Sequence, residues 1–254
     1  MDLKDKVVII TGSGRGIGAA TAELCAQNGA KVVICDINDQ WGQKVLDKIC
    51  AQGLEAEYFH VDVSKESEVE ALLKFTVDKY GKLDGIVNNA ATIVVKPVAE
   101  LTAEEWDKVI SVNLTGVFYG CKHAIRQFLK QGTGGSIVNV GSISAVVGLY
   151  EQPVYCASKG GVYQLSRQIA VEYAKKNIRC NVIGPGSVDG EFVQIYLDGQ
   201  VDPKAAAERQ MASHPMGRFA TPREVAETIM FMLSDRSTFV TGANLMVDGG
   251  YSAI

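Results

Sequence analysis

Apolar and polar positions in this chain follow two alternating rhythms. Short, nearly continuous apolar runs rich in valine and isoleucine give way to longer stretches with apolar residues three and four apart. The first rhythm suits strands covered on both faces, and the second suits helices with one covered face. Lys6–Thr11, Lys31–Asp36, Ala56–Val61, Leu83–Asn88, Gly134–Val140, Ile178–Ile183 and Asn244–Asp248 read as seven strands. Ala19–Asn28, residues 39–52, 65–80 and 103–131, Tyr155–Lys176 and a segment opening at Thr221 read as helices. Gly29 and Gly53 stop the first two helices, and Ser64 is the N-cap candidate of the third. Thr102 and Glu105 have capping-box spacing, and Pro222 stands at the first turn of the last helix.

This alternation predicts an α/β fold: a doubly wound sheet of about seven parallel strands with helices on both faces. No linker or low-complexity tract interrupts it, so residues 1–254 read as a single domain. The one irregular stretch runs from Pro185 to Pro215, with Gly186, Gly190, Gly199 and Pro203 and a helix-like patch at Pro203–Arg209. It follows the carboxyl end of a strand, where ligands of such sheets bind, which makes residues 185–215 a lid candidate.

Composition narrows the function. With 254 residues at 47% hydrophobic, the chain can bury a large core. The net charge is −4 with both signs scattered, which excludes a basic nucleic-acid or membrane-surface face. No apolar stretch approaches the roughly 20 residues of a membrane span. The N-terminus mixes acids with bases and runs straight into a strand, unlike a signal peptide, so a cytoplasmic protein is expected. Six cysteines include no C-x-x-C pair, so reduced thiols are expected. Three histidines without ligand spacing predict no metal.

The strongest chemical signal follows the first strand. Gly12, Gly14, Gly16 and Gly18 alternate through Gly12-Ser13-Gly14-Arg15-Gly16-Ile17-Gly18, and the next strand ends in Asp36. A glycine turn between strand and helix lets backbone approach a pyrophosphate, the helix N-terminus offers free N–H groups, and the acid accepts from ribose hydroxyls. Far down the chain, Tyr155 and Lys159 lie four apart on one helix and share a face. Ser142 follows the fifth strand, and Asn113 lies in the helix before that strand. A free tyrosine is a poor base at neutral pH, and a neighbouring ammonium stabilises its phenolate.

Together these residues resemble the short-chain dehydrogenase/reductase family over nearly the whole chain. The resemblance rests on Thr11-Gly12-x-x-x-Gly16-x-Gly18, Asp62-Val63, Asn88-Asn89-Ala90, Asn113, Ser142, Tyr155-x-x-x-Lys159, Pro185-Gly186 and Val247-Asp248-Gly249-Gly250. It implies a Rossmann-type fold and an oxidoreductase that interconverts a secondary alcohol and a ketone. It also implies Tyr155 as general acid/base, Lys159 lowering its pKa and bonding the nicotinamide ribose, Ser142 orienting the substrate oxygen, and Asn113 anchoring a water relay. Cofactor contacts are expected from Gly12, Ser13, Arg15, Gly16, Ile17, Gly18, Asp36, Ile37, Asp62, Val63, Asn89, Ala90, Pro185, Gly186 and Val188, besides Tyr155 and Lys159. A homotetramer or homodimer is implied as well. The chain departs from the family at Ala91, commonly glycine, and at Gly190, often a threonine that bonds the carboxamide.

Asp36 favours NAD, since a carboxylate repels a 2′-phosphate, while Arg15 argues for NADP. Candidate substrate contacts are Val94, Ser144, Val147, Leu149, Glu151, Phe192 and Tyr196, a partly apolar set. His214 reads as a satisfied or solvent-facing histidine, and Cys156 as a core thiol. An NADPH-dependent carbonyl or acyl-thioester reductase is the alternative, and a non-catalytic dinucleotide sensor a third reading.

Overall fold

The computed structural model describes residues 2–254. The strands are β1 (Val7–Thr11), β2 (Lys31–Asp36), β3 (Ala56–His60), β4 (Gly85–Asn88), β5 (Gly135–Val140), β6 (Ile178–Pro185) and β7 (Asn244–Val247). They pair in parallel in the order β3-β2-β1-β4-β5-β6-β7. The chain runs outward from β1 to β3 and then returns to the other side of β1. That reversal opens a crevice beyond the carboxyl ends of β1 and β4.

The helices are α1 (Gly16–Gln27), α2 (Asp39–Cys50), α3 (Glu66–Tyr80), α4 (Ala103–Ile110), α5 (Gly116–Gln131), α6 (Pro153–Tyr173), α7 (Glu191–Asp198), α8 (Pro203–Ala212) and α9 (Pro222–Leu233). Strand side chains alternate between two cores. Val8, Ile10, Val32 and Ile34 join residues of α1, α2 and α9 on one face, while Ile9, Val33 and Cys35 join those of α3, α5 and α6 on the other. Burying both faces explains the unbroken apolar runs, and each fully buried isoleucine contributes about 1.5–3 kcal/mol. A polar thread crosses the second core. Asn88 donates to the Asn139 side chain at 2.8 Å, and Asn139 donates to Ser166 at 2.8 Å, which fixes β4, β5 and α6 relative to one another.

Several boundaries differ from the sequence expectation. α1 begins at Gly16 rather than Ala19, so the glycine turn itself supplies its first turn. Ser64 does not cap α3. Its N–H and hydroxyl both donate to Asp62, and the helix starts at Glu66 after Lys65. The expected capping box at Thr102 and Glu105 is present, and a second joins Thr221 to Glu224. The long helix 103–131 holds one π-turn, Ser111–Thr115, between α4 and α5. The expected irregular stretch after β6 holds two helices. α8 covers the predicted patch, and α7 went unread because glycines at 190 and 199 frame only eight residues. Gly190 enters α7 with a φ of 154°, a conformation that side chains rarely adopt, although nothing lies within 4 Å of a Cβ placed there. A threonine, which the family often carries there, would be strained in this backbone conformation.

Candidate active site

One cleft of about 790 Å³ lies across the carboxyl ends of the strands. At one end it is lined by Gly12, Arg15, Gly16, Ile17, Asp36 and Ile37, and at the other by Ser142, Tyr155, Lys159, Leu149, Phe192 and Tyr196. Asp62, Val63, Asn89, Ala90, Pro185, Gly186 and Val188 line the stretch between.

The glycine turn is built by close approach. A Cβ on Gly18 would lie 2.3 Å from the Gly12 carbonyl oxygen and 2.6 Å from the Asn89 amide nitrogen. That amide donates to the Thr11 and Gly12 carbonyls, each at 2.9 Å, and so ties the end of β1 to the segment after β4. Asp36 is largely buried at the end of β2. Its carboxylate accepts from the Gly14 N–H and the Asn38 N–H, each at 2.9 Å. Each oxygen keeps a lone pair for a further donor. The site thus fits a dinucleotide, with a backbone turn at a helix N-terminus, a held carboxylate beyond it, and an apolar slot at Ile37, Val61, Val63 and Ala90.

At the other end α6 presents Tyr155 and Lys159 on one face. Tyr155 is 8% exposed and Lys159 2%. Burial pushes the Tyr155 phenol well above its ordinary pKa, a hydrogen bond with Ser142 pulls it back, and Cys156 adds an upward push. Burial also drives the Lys159 ammonium down to about 8. Lys159 Nζ donates to the Val140 carbonyl at 2.7 Å and stands 5.5 Å from the centre of the Tyr155 ring. In this arrangement the lysine is bonded to β5, and Ser142 is the group that lowers the tyrosine. Phe192 of α7 meets the Tyr155 ring edge-on, with centroids 6.1 Å apart.

Asn113 is fully buried in the π-turn, which adds one residue to the helix and re-aims its side chain. Its oxygen accepts from the Thr92 N–H at 2.8 Å, and its amide donates to the Thr92 carbonyl at 2.9 Å and to Ser158 at 3.3 Å. Ser158 in turn donates to the Tyr155 carbonyl at 2.8 Å. Both amide hydrogens of Asn113 are engaged.

The comparisons with known proteins agree with this geometry. A family model described as enoyl-(acyl carrier protein) reductase matches residues 12–252. The 2,5-dichloro-2,5-cyclohexadiene-1,4-diol dehydrogenase of Sphingobium indicum is 40% identical over 255 residues, covering 100% of this chain and 99% of that protein. The cyclohexanol dehydrogenase of an Acinetobacter species is 38% identical over 250 residues, 98% of this chain and 96% of that protein. A crystal structure of levodione reductase superimposes with a TM-score of 0.95 at 36% identity, over 99% of both chains. The chain belongs to the short-chain dehydrogenase/reductase family. It is accordingly an oxidoreductase acting on CH–OH groups with a nicotinamide dinucleotide.

Within this short-chain dehydrogenase/reductase, not every expected residue reaches the cleft. Ser13 turns inward, donating its hydroxyl to Ile10 at 2.7 Å and accepting from the Cys35 N–H at 2.9 Å. Gly18 packs against the turn without lining the cavity. Of the candidate substrate contacts, Val94, Ser144, Val147 and Glu151 are absent from the cavity wall, while Leu149, Phe192 and Tyr196 line it. Asn89 to Ile93 line the cleft in succession, and the lining stops before Val94. Ser144 is buried, Val147 sits half-buried, and Glu151 is exposed at a φ of 58° with its carbonyl accepting from the Lys96 N–H. Cys156 is half-buried off the cavity wall.

His214 is satisfied, as expected. It donates from Nδ1 to the Gln210 carbonyl at 2.8 Å and accepts at Nε2 from the Ser187 N–H at 3.1 Å. Residues that sequence reasoning missed include Trp41, Ile143, Gln152, Glu191 and Gln210, all on the wall. Only Trp41 had a usable signal, its place in the first turn of the helix that follows Asp36. Among the described residues no cluster of metal-ligating side chains exists, and no helix is long and apolar enough to cross a membrane.

Proposed function

We propose that this enzyme is an NAD-dependent dehydrogenase that interconverts an alicyclic or similarly apolar secondary alcohol and its ketone. The carrying observation is the convergence of Ser142, Tyr155 and Lys159 at the apolar end of a cleft whose far end holds Asp36. The names of the related cyclohexanol and chlorinated cyclohexadiene-diol dehydrogenases support a ring alcohol. Leu149, Phe192 and Tyr196 supply an apolar wall for such a ring.

Ser142 donates to the substrate oxygen, and Tyr155 takes the hydroxyl proton in oxidation and returns it in reduction. The Lys159 ammonium, bonded to the Val140 carbonyl, stabilises the phenolate through space, and its remaining hydrogens would hold the nicotinamide ribose. A nicotinamide held in the cleft would supply the hydride acceptor or donor. Asn113 acts as a positioning residue, holding the Thr92 segment and the Ser158 bond beneath Tyr155. α7 and α8 form the lid, and Phe192 closes against Tyr155.

A panel of secondary alcohols with NAD, headed by cyclohexanol and cyclopentanol, tests the assignment. Tyr155→Phe is expected to lower kcat/KM by about 10³-fold, the scale of general acid–base catalysis, with NAD binding retained. A variant as active as the wild type refutes the role given to Tyr155.

A further inference from the structure

The sequence carries opposing cofactor signals in Asp36 and Arg15, and the structure shows what has become of the arginine. Arg15 follows Gly14, and a Cβ on Gly14 would lie 2.8 Å from both the Asp36 carboxylate and the Trp41 side chain. The acid, the indole and the arginine therefore share one corner of the cleft. Arg15 does not pair with Asp36. Its guanidinium carbon lies over the Trp41 indole, 3.7 Å from the ring centre, and its Nη2 pairs with Glu191, the first residue of α7. Asp36 forms no ion pair among the described residues, so its charge stays uncompensated. All four side chains line the cleft.

We infer that Glu191 is a specificity-determining residue for the cofactor: it holds Arg15 on the Trp41 face and so denies it to a 2′-phosphate. The inference rests on the proposed preference for NAD. Asp36 and Glu191 carry two negative charges against the single positive charge of Arg15, a balance that repels a phosphate dianion and leaves neutral hydroxyls free to donate to Asp36. The indole adds a second restraint, because a guanidinium stacked on a ring and bonded at its edge has little freedom to turn toward another anion. This effect originates in the lid, more than 150 residues from the arginine in sequence.

The test is calorimetric binding of NADH and NADPH to the wild type and to Glu191→Gln, Arg15→Ala, the double variant and Asp36→Ala. Glutamine keeps the side-chain shape and removes the charge. Glu191→Gln is expected to shift the NADPH-to-NADH affinity ratio toward NADPH by about ten-fold, the scale of one charge acting at close range, and the shift shrinks as salt is raised. In the Arg15→Ala background the same substitution is expected to shift the ratio much less, because only the direct repulsion by Glu191 is relieved and there is no guanidinium left to release. An unchanged ratio in Glu191→Gln, with Asp36→Ala still gaining NADPH, overturns the role of Glu191 and leaves the NAD reading standing. An equal shift with and without Arg15 also overturns it. A wild type that binds NADPH more tightly than NADH refutes the NAD reading itself.

Discussion

Tyr155 and Lys159, the proposed proton-transfer pair, show how burial shifts two neighbouring groups in opposite directions. Each is costly to charge alone in a dry site, which is why the phenol is pushed up and the ammonium down to about 8. The lysine has a consequence for stability. Its folded pKa is depressed from the ordinary 10.5, so the folded state binds fewer protons than the unfolded chain between about 8 and 10.5. The burial penalty is therefore complete below about 8 and fades as pH rises toward 10.5. Lys159→Met is expected to raise the thermal midpoint at pH 7 while abolishing turnover, and the gain should vanish above the upper limit of that window. Thermal unfolding across pH checks both, and a variant less stable than the wild type at pH 7 contradicts the account. Ser142, Tyr155 and Lys159 were legible as candidates because the family resemblance singles out their motifs, whereas the bonding of Asn113 to Thr92 and Ser158 was not. The bonding of Lys159 to Val140 was not legible, since it depends on how α6 lies over β5.

At the level of elements, the glycine turn and the π-turn each place a functional group by a local departure from regular backbone. Alanine at Gly18 would drive a methyl into the Gly12 carbonyl and the Asn89 amide. Gly18→Ala is expected to destabilise the fold by about 1–3 kcal/mol and to weaken dinucleotide binding, read by thermal unfolding and calorimetry. Alternating apolar runs announced the strands and most helices. The π-turn at Asn113 left no mark, because one extra residue in a helix barely disturbs its period. α7 was missed for a related reason: eight residues between two glycines are too few for periodicity to speak.

For the molecule as a whole, binding and folding are linked. The cleft joins the glycine turn, the α6 pair and the lid, so a bound dinucleotide stabilises all three together. NAD at a hundred times its dissociation constant is expected to add about 2.7 kcal/mol of stability. A thermal shift of several degrees with NAD, larger than that with NADP at equal concentration, is the outcome to look for, and a larger shift with NADP would contradict the cofactor assignment. The sequence by itself determined the seven-strand parallel sheet, the glycine turn and the candidate catalytic residues. Strand periodicity, glycine spacing and the chemistry of proton transfer are local or compositional properties, and each leaves a pattern along the chain. The tertiary structure decided which candidates share the cleft, separating Leu149 and Phe192 from Val94 and Glu151. It also decided that Arg15 pairs with Glu191 rather than with Asp36. Contacts between groups so distant in sequence arise only where α7 packs beside the glycine turn, and no periodicity encodes them.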